Sequence, residues 1–136
     1  MARPPQDVTD AELAVLQVLW DRGPATRRQI ADALYPGGAP AHFTTVQKLL
    51  ERLEAKGHVA RSQGSQAITF TAALDREELI SRRLLDMADK LCGGSLTPLL
   101  MNLVRSRPLT AGELQELQNL VERERSRRGK TKNRPR

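Results

Sequence analysis

The chain has 136 residues and a mass of 15.1 kDa, room for one domain or two small cooperating units. Aromatic residues are only 3%, so a core must be built from Leu, Val, Ile and Ala, and the single cysteine, Cys92, excludes an internal disulfide and any multi-cysteine metal site. No apolar run nears the ~20 residues that span a bilayer, and the polar, proline-bearing stretch Met1 to Asp10 does not read as a signal peptide. The expectation is a soluble cytoplasmic protein with no membrane insertion.

The net charge is +6, but it is unevenly spread. Residues 125–136 carry seven basic side chains and no acid, which leaves the other 124 residues at net −1. The basic isoelectric point is therefore mostly a property of the tail, and a solubilising tail would produce it as well as nucleic-acid binding does.

In chain order, Thr9-Asp10-Ala11-Glu12 has the form of a capping box. Leu13, Leu16, Leu19 and Trp20 follow at helical spacing until Gly23-Pro24. Thr26-Arg27-Arg28-Gln29 repeats the cap ahead of a short helix striped with Ile30, Ala33 and Leu34, and Pro36 to Pro40 breaks it. A third helix is expected from Thr44 or Thr45 to Lys56-Gly57, with Gly57 as a left-handed cap. Val59 to Gln63 and Gln66 to Ala72 read as a hairpin around Gly64-Ser65. Further helices are expected from Asp75 to Leu91, from Thr97-Pro98 through the apolar run Leu99 to Val104, and from the capping box at Thr110 onward. The last dozen residues are expected to be a basic tail, disordered beyond about Gly129.

Three short helices and a hairpin within residues 9–72 give the order of a winged helix-turn-helix. The expected fold is mainly α with a small β component (α+β). It comprises a winged helix-turn-helix DNA-binding domain over 1–73, a helical dimerisation region over 74–124 and the tail over 125–136. At about 100° per residue, Val46, Leu49, Leu50 and Leu53 lock the third helix to its scaffold, while Thr44, Thr45, Gln47, Lys48 and Arg52 look outward. Gln suits adenine, and Arg and Lys suit guanine or phosphate. Residues 22–63 are net +4, whereas 1–21 are net −3 and 75–124 are net −2, so the charge of the folded part gathers where DNA would lie. The candidate DNA-binding set is Thr44, Thr45, Gln47, Lys48, Arg52, Arg61 and Arg28. The candidate dimer interface is Leu84, Met87, Leu91, Leu99, Leu100, Leu103, Val104, Leu114, Leu117 and Val121, side chains that three C-terminal helices alone would leave exposed.

The sequence resembles the BlaI/MecI family of penicillinase repressors along nearly its whole length. The resemblance rests on Thr9-Asp10-Ala11-Glu12-Leu13 with Leu19-Trp20-Asp21, on Thr44-Thr45-Val46 with Leu49, Arg52-Leu53 and Lys56-Gly57, and on Leu91-Cys92-Gly93-Gly94-Ser95 running to Leu103. It implies a homodimeric repressor on an inverted-repeat operator of double-stranded DNA, with an output in antibiotic resistance. It also implies a membrane sensor protease that answers β-lactams by triggering cleavage at an Asn-Phe bond. The matching pair here is Asn102-Leu103, with Leu in place of Phe, and Gln47 stands where the penicillinase repressors often have Arg. The basic tail lies outside the family pattern.

No catalytic, metal or cofactor site is expected. Cys92 reads as a small buried side chain. His42 and His58 have no cysteine or carboxylate cluster around them, and His42 reads as a surface histidine. The carboxylates Glu77, Glu78, Asp86 and Asp89 lie beside Arg82, Arg83 and Lys90 and read as solvated ion pairs. Two alternatives stay open: a winged-helix adaptor for another protein whose tail binds nucleic acid without sequence preference, and a metal-responsive repressor, although the Cys-x-Cys pairs of copper-responsive relatives are missing.

Overall fold

The computed structural model describes residues 7–64 and 66–132, with the backbone alone for 130–132. Six helices and one hairpin follow in the order α1 (Asp10–Arg22), α2 (Arg27–Leu34), α3 (Pro40–Ala55), β1 (Val59–Gln63), β2 (Ile68–Ala72), α4 (Arg76–Leu91), α5 (Thr97–Ser106) and α6 (Ala111–Lys132). The strands form one antiparallel pair with Val59 opposite Ala72 and Gln63 opposite Ile68. The chain divides into two units, residues 1–83 and 84–136.

In the first unit, both Thr caps form as the sequence pattern requires. Thr9 accepts from the Glu12 amide at 3.2 Å and Thr26 from the Gln29 amide at 3.1 Å, and each third residue reaches back to its cap. The apolar stripes of α1, α2 and α3 meet in one core of Val15, Leu16, Leu19, Ile30, Val46, Leu49, Leu50 and Leu53, all at most 3% exposed. Burying each of the larger of these side chains stabilises the fold by about 1.5–3 kcal/mol. The core is not purely aliphatic, because Phe70 of β2 lies inside it. An isolated bridge between Ala25 and Phe70 draws the wing onto the start of α2.

Four points go against or beyond what the sequence led us to expect. The first concerns α3, which starts at Pro40 rather than at Thr44 or Thr45. Proline is tolerated in the first turn because its missing N–H would be unsatisfied there anyway, and His42 Nδ1 reaches back to accept the amide of the cap residue Ala39 at 3.2 Å, where no Ser or Thr stands. Second, His58 is buried, held where its backbone joins the end of α3 to the segment after β2. Third, the boundary between the units falls inside α4, later than 73/74. Leu79 is buried in the first unit, Arg76 pairs with Asp21 at 2.8 Å and lies over the Trp20 ring, and Arg83 donates to the Val8 carbonyl at 2.6 Å. Fourth, α6 runs on through Lys132. Ion pairs Arg125–Glu122 and Arg127–Glu124, each one turn apart, favour the helix leading up to Gly129, and it continues three residues past that point, where disorder was expected. The expected disorder of 133–136 and the Ser65 part of the hairpin tip lie outside the described residues.

In the second unit, α5 buries no residue. Leu100, Leu103 and Val104 are exposed within the single chain and Leu99 is half-buried, as is Cys92. The apolar run 99–104 is thus not enclosed by its own chain. The pairs Arg82–Glu78 in the first unit and Lys90–Asp86 in the second form as read from the sequence. Among the described residues no helix is long and apolar enough to cross a membrane, and no group of three His, Cys, Asp or Glu side chains stands ready for a metal.

Candidate nucleic-acid interface

Helix α3 is the candidate reading element. Its buried stripe fixes its rotation about its own axis, which leaves Thr44, Thr45, Lys48 and Arg52 exposed and Gln47 half-buried. The side chains of Lys48 and Arg52 take part in no ion pair or hydrogen bond among the described residues, so both cations remain available. The threonine hydroxyls turn back onto their own helix. Thr45 donates to the Ala41 carbonyl at 3.1 Å and Thr44 reaches the Pro40 carbonyl at a long 3.5 Å. Their lone pairs still face outward, but their protons are engaged.

The turn before α3 is built rather than loose. Tyr35 and His42 stack at 4.3 Å with an interplanar angle of 11°. Gly38 is what permits this closeness, since a Cβ there would sit 2.5 Å from His42 Nδ1 and 2.9 Å from the Tyr35 carbonyl oxygen. The exposed Arg28 guanidinium lies 5.3 Å from the centre of the Phe43 ring. Arg28, Asp32, Tyr35, His42, Phe43 and Thr44 line an open depression of about 340 Å³ beside the start of α3.

Beyond the end of α3 the cations Lys56 and Arg61 are engaged. Arg61 of β1 grips Glu54 through Nε at 2.9 Å and Nη2 at 2.8 Å, and its guanidinium lies 5.6 Å from the Phe70 ring. That hydrogen bonding holds the Glu54 carboxyl below its usual range. Arg61 therefore braces the wing against α3, and any reach toward DNA competes with this pair. Lys56, just past α3, bonds both carboxylate oxygens of the buried Glu12, at 2.7 and 2.9 Å, and the Asp7 carbonyl at 2.8 Å. Burial pushes the Glu12 carboxyl up, but the hydrogen bonds from Lys56 and Thr9 and the Lys56 charge outweigh it and leave it lowered.

Arg28, Thr44, Thr45, Gln47, Lys48 and Arg52 thus belong to α2 and α3, and Arg61 to the wing. Sequence reasoning missed the Tyr35–His42 stack, although Pro40 followed two residues later by a cap-competent His42 is a readable helix start. It also missed the Glu12–Lys56 pair, for which a separation of 44 residues carries no local signal.

A three-helix scaffold, a two-stranded wing and an exposed cationic helix define a winged-helix DNA-binding protein. The profile of the family described as penicillinase repressor matches residues 8–123. The chain belongs to that family. It is 23% identical over 128 residues to the penicillinase repressor of Bacillus licheniformis, covering 94% of this chain and 98% of that protein. It is 20% identical over 117 residues to the methicillin resistance regulatory protein MecI of Staphylococcus aureus (strain N315), covering 85% of this chain and 93% of that one. The solution structure of the DNA-binding domain of the repressor BlaI superposes with a TM-score of 0.44 at 25% identity, over 57% of this chain and 93% of that domain.

Proposed function

We propose that the protein represses transcription as a homodimer seated on an inverted-repeat operator, α3 of each copy lying in the major groove. Gln47, Lys48 and Arg52 read or grip the bases. Thr44, Thr45 and Arg28 meet the sugar-phosphate backbone, and Arg61 steadies the wing beside it. The observation that carries this reading is the pairing of a fully buried stripe on α3 with free cations on its outer side. Dimerisation rests on α4, α5 and α6, where Leu84, Met87, Leu91, Leu100, Leu103, Val104, Leu114, Leu117 and Val121 stand exposed in one chain. A patch of this kind marks an association surface. Two copies place their α3 helices about one helical turn (~34 Å), or a multiple of it, apart, which is why the operator is an inverted repeat.

Relief follows from cleavage at Asn102–Leu103 by a protease under the control of a cell-wall or β-lactam sensor. That bond lies within α5, where Ser106 Oγ donates to the Asn102 carbonyl at 2.7 Å and the Arg107 amide to the Leu103 carbonyl at 3.1 Å. A protease needs extended backbone, so α5 must open first.

The test is selection from a random duplex pool, near physiological salt. One recovered inverted repeat is the expected outcome. Bound DNA without a motif would overturn the reading in favour of non-specific binding by the tail. With ~6–10 phosphate contacts per dimer, operator affinity falls ~10³–10⁵-fold from 50 to 200 mM salt.

A further inference from the structure

We infer that the basic end of α6, from Arg125 onward, is a second DNA-binding surface that grips the duplex flanking the operator. The inference rests on the repressor reading for its setting but on separate residues for its substance. The match to the family ends at residue 123, yet α6 continues without a break to Lys132. Residues 125–132 are therefore a helical extension of the matched part.

The same side of the helix changes character within one turn. Leu114, Leu117 and Val121 follow one another at three and four residues, and the next positions on that stripe are Arg125 and Arg128. All three apolar side chains are 40–46% exposed in the single chain. Whatever covers them does not also cover the arginines, because taking a guanidinium out of water costs several kcal/mol. Apolar burial therefore stops at Val121, and the turns beyond it stay in solvent.

Among the described residues this extension is neutralised only in part. Arg125 and Arg127 have surface partners in Glu122 and Glu124, and pairs this exposed contribute at most about 1 kcal/mol, so a phosphate displaces them readily. Seven basic side chains from Arg125 to Arg136 face a remainder that is net −1. Charge complementarity asks for a polyanion. Once α3 is on its operator, the polyanion held at high effective concentration is the adjoining duplex.

The experiment compares two duplexes, the operator alone and the operator with about 15 bp of unrelated sequence on each side, across a salt series. The proteins are the full chain, a variant carrying Arg125→Gln and Arg128→Gln, and a chain lacking residues 125–136. Glutamine keeps the helix propensity close to that of arginine. The full chain is expected to bind the flanked duplex ~10-fold or more tighter, with a salt slope steeper by about 0.9 for each added phosphate contact. The double variant is expected to lose most of that difference while binding the short duplex as the full chain does, and the deletion to lose all of it. Equal affinity of the full chain for both duplexes overturns the proposal, as does a difference that survives the deletion. Capture of anionic lipid vesicles by the extension, with no gain from flanking DNA, also overturns it and assigns the segment to a membrane surface. If no protein binds the short operator, the repressor reading fails instead. The extension is then judged on a long duplex of arbitrary sequence, which the full chain must bind and the deletion must not.

Discussion

Glu12 shows how one residue can hold two ends of the scaffold. It completes the cap of α1 through Thr9 and receives Lys56 from the end of α3. Its carboxyl is lowered in the folded state, so the stability it contributes is present above the unfolded carboxylate value and lost as pH falls through the folded one. Thermal melts of the wild type should therefore steepen in their decline below about pH 4.5. Lys56→Met leaves the buried carboxylate without its counter-charge and should cost about 3–5 kcal/mol. The same variant should show a flatter acid limb, because the depressed carboxyl is gone. Urea melts at neutral and acid pH check both statements, and an unchanged acid limb would show that Lys56 does not set the Glu12 titration.

Two further residues separate reading from support. Arg52→Ala removes a free cation and should weaken operator binding by about 1–3 kcal/mol, with little change in melting temperature. Gly38→Ala forces a Cβ into the Tyr35 carbonyl and the His42 ring, and should destabilise the first unit by about 1–3 kcal/mol. Paired binding and melting measurements distinguish the two, and a melting defect in Arg52→Ala would count against its assignment to DNA.

Among the elements, α5 is short and lightly held. It has 10 residues and none buried, and isolated helices of that length are marginal. Met101→Gly adds about 0.7 kcal/mol to the cost of keeping it helical. Cutting between Asn102 and Leu103 by a non-specific protease should then speed up several-fold, because such cleavage follows the population of the opened segment. Mass spectrometry of the fragments reads this directly, and an unchanged rate would mean that the bond is reached without unwinding.

Most elements were legible in the sequence because their signals are local. The Thr9 and Thr26 capping boxes, the stripe from Val46 to Leu53 and the alternation around Ile68 and Phe70 each lie within a few residues. What escaped depends on distance or on an unusual use of a residue. Pro40 reads as a breaker until His42 is seen to cap behind it. Arg61 reads as a DNA contact, and its pairing with Glu54, seven residues back along the chain, had no signal to announce it. The extent of α6 was hidden by its charge, since a run of arginines reads as disorder unless the Glu122 and Glu124 pairings are considered.

For the whole molecule, the distribution of exposed apolar surface matters most. Among the described residues, every exposed large apolar side chain lies at position 80 or later. The winged helix thus exposes no large apolar side chain of its own, and the surface proposed to meet a second copy is confined to the C-terminal half. Leu100→Asp with Leu103→Asp should convert a dimer into a monomer by sedimentation and remove most operator affinity, while the winged helix melts as before. A dimer persisting in that variant would place the interface elsewhere.

The chain has one tryptophan. Trp20 donates its indole N–H to the Leu74 carbonyl at 2.8 Å, and the Arg76 guanidinium lies 5.2 Å from the centre of its ring. All three residues belong to the first unit. Intrinsic fluorescence therefore comes with a built-in address: its emission responds when the base of α4 leaves α1 and is silent to events confined to α5 and α6. A dilution series that separates subunits should leave the emission spectrum still, and a denaturant series should shift it. With no added dye, loss of partnership and loss of fold become two separate optical observations.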